Sequence, residues 1–429
     1  MSAPRDEARA EALRLFRSGH VLEAEQACLL RLETDPDDIE ALKVVAVAAL
    51  RRSDAVRAIA RLTRATTLDP ADTIARYHLA RAHELAGNTI AALAWYDTAL
   101  QLDPGFHVAR LNYGAALERA GEGERALWQW ARALRDAQSL GRWHDAATTP
   151  SGLAPLVERA VGAVRARRRA MLAGVVEPFE ARHGPEGLAR VRHALDLYLG
   201  DAVAANSDPR QQPSFLWFPG LPAAPLPDRS LFGWIPDLEV QASAIRAELE
   251  ALLPQAAGRE RVFDSSRLER DNLRGTRGAP DWSGYYFYRH GERRDENCRR
   301  CPRTAAALEA LPLSHVREHG PEVLFSVFAP GTHLLPHRGV TNTRLVAHLP
   351  LLVPGECALR VADVQHAWRE GEVVVFDDTY EHEAWNRSGS TRVVMIFDVW
   401  NPHLTCVERE VLAVLVPAIG HFRARVDAA

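Results

Sequence analysis

Two histidines in strand-like sequence, Pro336-His337-Arg338-Gly339 and Glu381-His382-Glu383-Ala384-Trp385, carry the most chemistry in this chain. Ten residues after the second histidine, Arg392 opens an apolar run. Two neutral imidazoles brought together from different strands suit a divalent iron, and a fixed guanidinium nearby suits the carboxylate of a small acid bound to it. The segment from Val323 to Trp400 is therefore the candidate reactive centre.

The elements that must position these groups read as short strands. Gly284 to Arg289, Val323 to Ala329, Thr343 to Val353, Ala358 to Val361, Glu372 to Phe376 and Thr391 to Trp400 are rich in β-branched and aromatic residues and are separated by Gly, Pro and Asn. Strands this short and evenly spaced predict a sandwich or barrel rather than a parallel α/β sheet.

Upstream the texture is helical and periodic. Pro36, Pro70 and Pro104 follow one another at 34 residues, and Gly19, Ser53, Gly87 and Gly121 keep the same step. Helical patterns such as 75–86 and 89–102 lie between these marks. A 34-residue period of helix pairs predicts a stacked solenoid, because no single pair buries its apolar face alone. Tyr77, Leu79, Ala80, Gly87, Ala91, Tyr96, Ala99 and Pro104 resemble the tetratricopeptide repeat, with Tyr77 where tryptophan is more usual. The capping helices are expected to begin near Arg5 and to end near Ala137. From Leu153 to about Asp201 the pattern stays helical, and Arg165, Arg167, Arg168 and Arg169 read as a solvated helix face. Prolines 209, 213, 219, 222, 225, 227 and 236 then interleave with Phe215, Trp217, Phe218, Phe232 and Trp234. So many large apolar groups predict a strap packed on the next domain rather than a free linker. A helix near Asp237 to Leu253 and a polar, glycine-containing loop follow.

The order and spacing of further residues identify a family. Pro330-Gly331-Thr332-His333, Pro336-His337, Thr341 to Leu345, His348-Leu349, Phe376-Asp377-Asp378, His382-Glu383, Trp385, Arg392 and Asp398-Val399-Trp400 resemble the aspartyl/asparaginyl β-hydroxylases, and most of all bacterial members preceded by tetratricopeptide repeats. Phe215 to Gly220, Asp281-Trp282-Ser283 and Glu296 to Pro302 extend the resemblance over about half of the 429 residues.

The resemblance implies a double-stranded β-helix using Fe(II), with 2-oxoglutarate and O₂ as co-substrates and succinate and CO₂ as co-products. It implies that His337 and His382 hold the iron and that Arg392, with Ser326, holds the distal carboxylate of 2-oxoglutarate. His348 is implied at the end that chelates iron, and Trp282 on the substrate side. A carboxylate usually stands two residues after the first histidine in such sites; here Gly339 does. The family likewise lacks that ligand, and Asp378 is expected to hold a water in the open position. Two departures bear on substrate. Val346 stands where animal members carry arginine, although Arg344 remains, and Arg338 replaces a smaller residue after the first histidine.

Composition limits the alternatives. Charged residues at 25% and a formal charge of −4 disfavour nucleic acid. No run of eighteen apolar residues predicts a membrane span, and no secretory signal pattern opens the chain, so the expected setting is the cytoplasm. Cys298 and Cys301 form an isolated CxxC, and the five cysteines suggest no disulfide framework. The expected whole is a multidomain α + β chain: a repeat array at 1–140, a helical connector at 141–208 and a β-hydroxylase-like domain at 209–429. Its expected activity is hydroxylation at the β-carbon of an aspartyl or asparaginyl residue in a peptide or protein recruited by the repeats. A hydroxylase of a small molecule or lipid acyl chain and an inactive repeat-based binding protein are the rival readings. The oligomeric state is not legible.

Overall fold

A computed structural model describes residues 10–16, 18–204, 208–254, 260–262, 273–274 and 282–429. The helix start expected near Arg5, much of the loop after Leu253, and Asp281 lie outside the described residues. The chain divides into two compact units, Met1–Arg168 with Phe422–Ala429, and Arg169–His421.

The first unit contains the helices α1 (Val21–Thr34), α2 (Ile39–Arg51), α3 (Ala55–Leu68), α4 (Thr73–Leu85), α5 (Thr89–Leu102), α6 (His107–Arg119) and α7 (Gly123–Ser139). Their period has a backbone cause. Gly19, Ser53, Gly87 and Gly121 all have positive φ, between 62° and 88°, which the turn between successive helices demands and which glycine adopts most readily. Asp38 and Asp72 cap α2 and α4 by accepting the Ala41 and Ala75 amides at 3.1 and 2.8 Å, so the same signal recurs one period on. Small residues such as Ala41, Ala49, Ala75 and Ala82 are buried between neighbouring helices and let them pack closely.

The second unit is built on two antiparallel sheets. The larger runs β1 (Glu260–Arg261), β3 (Trp282–Arg289), β5 (Val323–Phe328), β12 (Arg392–Trp400), β7 (Arg344–Leu352), β10 (Val374–Phe376), with β4 (Glu292–Arg293) beside β3. The smaller runs β2 (Leu273–Arg274), β6 (His333–His337), β11 (His382–Asn386), β8 (Cys357–Val361), β9 (Val364–His366). Side chains alternate between the faces of a strand, and here that alternation assigns function. Val323, Phe325 and Val327 of β5, Leu345, Ala347 and Leu349 of β7, and Val393, Met395 and Phe397 of β12 pack on one face. They meet Ile235, Leu238, Ile245, Leu249, Cys298 and Leu308 from the helices α10 (Ile235–Val240), α11 (Ala242–Leu252), α12 (Asp295–Arg300) and α13 (Pro302–Glu309). The other face includes Phe328, Val346 and Val394, which pack with Leu334, Leu359, Val361 and Ala384 of the smaller sheet. Ser326, Arg344, His348, Arg392 and Asp398 fall on that inner parity.

The architecture is the expected one, a helical repeat array and a double-stranded β-helix domain. The helical stretch 153–201 holds α8 (Ala154–His183) and α9 (Ala189–Leu199), and one helix was not anticipated, α14 (Cys406–Ala428), which follows the last strand. The strap is fastened as anticipated. Gln212 donates its amide to Thr379, Ser214 to Gly339, and Leu216 to Val340, while Phe218 and the Asn342 side chain exchange two hydrogen bonds at 2.7 and 2.9 Å. Cys298 and Cys301 are buried in the sheet-helix core, and burial raises both thiols, Cys301 to about 12.

Candidate active site

His337 and His382 lie directly across from each other on β6 and β11. Strict alternation from Leu334 would turn His337 outward. A β-bulge prevents this: two steps on β11 match three on β6, so Leu334 and His337 both face inward. The imidazole centroids are 4.1 Å apart.

Each ring has its Nδ1 against a backbone carbonyl two residues upstream, Leu335 O at 2.8 Å and Tyr380 O at 3.0 Å. A carbonyl only accepts, so each Nδ1 carries the hydrogen and each Nε2 keeps a lone pair. Burial also disfavours protonation. It holds His337 below the ordinary value and, with the neighbouring ring, brings His382 down to about 4. Two neutral imidazoles with fixed tautomers offer two lone pairs of the kind that ligate a metal. Among the described residues no group of three or more His, Cys, Asp or Glu side chains gathers as a metal site.

Gly339 and Asp378 form one feature. A Cβ added at 339 would stand 2.1–2.3 Å from the Asp378 carboxyl group, so that carboxylate fills the space a side chain there would need. The Gly339 amide donates to the Asp378 carbonyl at 2.6 Å, tying the two loops together. Asp378 Oδ2 pairs with Arg344 at 3.0 Å, whereas its buried Oδ1 has no partner. Arg344 also binds Asp398 at 2.9 Å, and its guanidinium is thus held between two carboxylates.

A second set of buried polar groups surrounds Arg392. Arg392 is 1% exposed, and its terminal nitrogen donates to the Ser326 carbonyl and hydroxyl at 3.3 and 3.2 Å. The guanidinium carbon lies 4.1 Å from the Phe328 ring and 4.5 Å from the Trp368 ring. Its Nε is buried without a partner, and no ion pair joins it to a carboxylate among the described residues. Burial depresses its pKa to about 9, a measure of how poorly the charge is compensated. A buried cation in this state is stabilised by a bound carboxylate. His348 is nearby in the same interior, 5.0 Å from Phe376 and 5.7 Å from Trp368 between ring centroids. Burial, reinforced by the Arg392 charge, keeps it neutral, and its Nδ1 is also unpaired.

The remaining expected residues are more peripheral. Trp282 donates its indole N–H to Ser326 Oγ at 2.9 Å and packs edge-on to Phe328. Arg338 is part-exposed and lies 3.6 Å from Glu381. Sequence reasoning gave no role to Trp368 or Asp398. Asp398 shares the parity of Arg392 and was detectable on that ground; Trp368 lies between strands, where no period reports it.

A family model described as aspartyl/asparaginyl beta-hydroxylase matches residues 239–402. The chain is 40% identical over 179 residues to the human aspartyl/asparaginyl beta-hydroxylase, covering 42% of this chain and 22% of that protein. It is 36% identical over 181 residues to the ornithine lipid ester-linked acyl 2-hydroxylase of Rhizobium tropici, covering 42% of this chain and 61% of the relative. The mouse aspartate beta-hydroxylase domain-containing protein 1 is 30% identical over 279 residues, covering 62% of this chain and 71% of its own length.

Proposed function

The chain belongs to the aspartyl/asparaginyl β-hydroxylase family, and from that premise we propose that it is an Fe(II)- and 2-oxoglutarate-dependent dioxygenase. Its substrate on this reading is an aspartyl or asparaginyl residue in a peptide or protein, hydroxylated at the β-carbon. His337 and His382 would hold the iron through Nε2. Bound iron, 2-oxoglutarate and O₂ together supply the oxidation: one oxygen atom enters the substrate C–H bond as hydroxyl, and the other enters succinate as CO₂ leaves.

The chain's own groups bind, orient and exclude water. Arg392 and Ser326 take the distal carboxylate, and neutral His348 takes the end that chelates iron. Asp378, whose buried Oδ1 is unpaired, would hold a water beside the metal by accepting its hydrogen bond. Arg344 holds that carboxylate in place through its other oxygen, and with Arg338 and Trp282 it borders the substrate. No general base or nucleophile is required. Residues 1–140 recruit the partner, 141–208 connect, and 209–429 carry the chemistry.

The observation that carries this reading is a fully buried guanidinium with no carboxylate partner among the described residues, in the same interior as two imidazoles whose Nδ1 hydrogens are taken by carbonyls. Incubating the protein with Fe(II), 2-oxoglutarate, air and a peptide pool tests it. Mass spectrometry should find one added oxygen on an aspartyl or asparaginyl residue, and His382→Ala should abolish it.

Acyl-chain hydroxylation is a second reading, favoured by the likeness to the rhizobial acyl 2-hydroxylase and by buried, apolar Val346 on the inner face. Among the described residues no helix is long and apolar enough to cross a membrane. Oxygen incorporation into a lipid extract but not into peptides would select this reading.

A further inference from the structure

Trp368 occupies the connection between β9, at the edge of the smaller sheet, and β10, at the edge of the larger. The turn in this connection is anchored at both Glu370 and Gly371. The Gly371 amide donates to Pro350 O at 2.9 Å, and Glu370 accepts the Val353 amide at 2.8 Å. The indole is 6% exposed, so an internal acceptor would be expected for its N–H. It has none.

This is the third such group in one small volume. The ring lies 4.5 Å from the Arg392 guanidinium carbon and 5.7 Å, centroid to centroid, from His348. Arg392 Nε and His348 Nδ1 are likewise buried and unpaired. An isolated unsatisfied donor is a defect, costly to keep. Three polar atoms left open around one cation instead describe a site built for an oxygen-rich anion. Phe328 lies within 4.1 Å of the same guanidinium, so two aromatic rings flank it and limit its freedom to turn away.

We propose that Trp368 is a recognition residue for the dicarboxylate co-substrate. Its ring holds the Arg392 guanidinium in place, and its N–H donates to the carboxylate that Arg392 binds. The proposal rests on the co-substrate reading above and adds to it a neutral donor beside the charged one. A neutral donor strengthens recognition of the distal carboxylate without adding a second buried charge.

Calorimetric titration of the full-length protein, loaded with Mn(II) and kept anaerobic, measures binding without turnover. Two ligands are compared: 2-oxoglutarate, and 2-oxopentanoate, which has the same length but no distal carboxylate. Trp368→Phe keeps an aromatic face and deletes the N–H. It should weaken 2-oxoglutarate by about tenfold or more, as expected for one lost hydrogen bond to a charged group, and leave 2-oxopentanoate unchanged. The 2-oxoglutarate-induced rise in melting temperature should shrink in parallel, a readout independent of any loss of stability in the unliganded variant. Unchanged 2-oxoglutarate affinity, or equal weakening of both ligands, overturns the proposal while leaving the co-substrate reading intact. If the wild type binds neither ligand, that reading fails and this proposal falls with it.

Discussion

A side chain at position 339 has no space, because the Asp378 carboxylate already fills it. Restoring a protein ligand two residues after the first histidine should therefore fail. Gly339→Asp is expected to lower stability by about 1–3 kcal/mol, as overpacking does, and to weaken metal binding rather than tighten it. Urea unfolding and Co(II) titration check both, and adding Asp378→Gly should recover much of the stability. The histidines and Arg392 were legible from residue type and spacing. The collision of 339 with 378 was not, since it arises only when two loops far apart in sequence are brought together. Glu322 offers a second residue-level test. Burial raises it to about 7 from an ordinary 4.5, the His290 amide opposing and Asp398 adding. The folded state then holds a proton that the unfolded state has released, so stability falls as pH rises from about 4.5 to 7 and levels off above. Glu322→Gln should flatten that fall and gain most on the wild type above pH 7, measured by urea unfolding at pH 5 and pH 8.

Among the elements, the strap decides how the histidine loops are held. Its backbone bonds reach Gly339, Val340 and Thr379, each within three residues of a proposed ligand. Asn342 fixes it by serving both polar groups of buried Phe218. Asn342→Ala should cost about 2–4 kcal/mol, since two buried backbone groups lose their partners, and the loss would appear as a lowered urea midpoint. Proline and aromatic content announced this strap. The histidine strands β6 and β11 were read as strand-like but given no bounds, because they are polar and the bulge that turns His337 inward breaks the alternation that delimits strands. Helix α14 was unread for a comparable reason, as it carries Pro417 in its interior, where proline normally ends a helix.

At the scale of the molecule, the 34-residue period was legible because it is written in prolines and turn glycines, which are local signals. What the array binds is not local. On the proposed reading, removing residues 1–140 should lower kcat/KM for a folded protein substrate at least tenfold while changing turnover of a short peptide by less than about twofold, the peptide serving also as a control for correct folding. Equal effects on both substrates would assign the array a scaffold role. The central claim concerns the chemistry, and succinate release tests it most directly. With Fe(II) and 2-oxoglutarate under air, the wild type should form succinate, even slowly and uncoupled from substrate, and His382→Ala and Arg392→Ala should not. Absence of succinate together with absence of iron binding by the wild type would contradict the account.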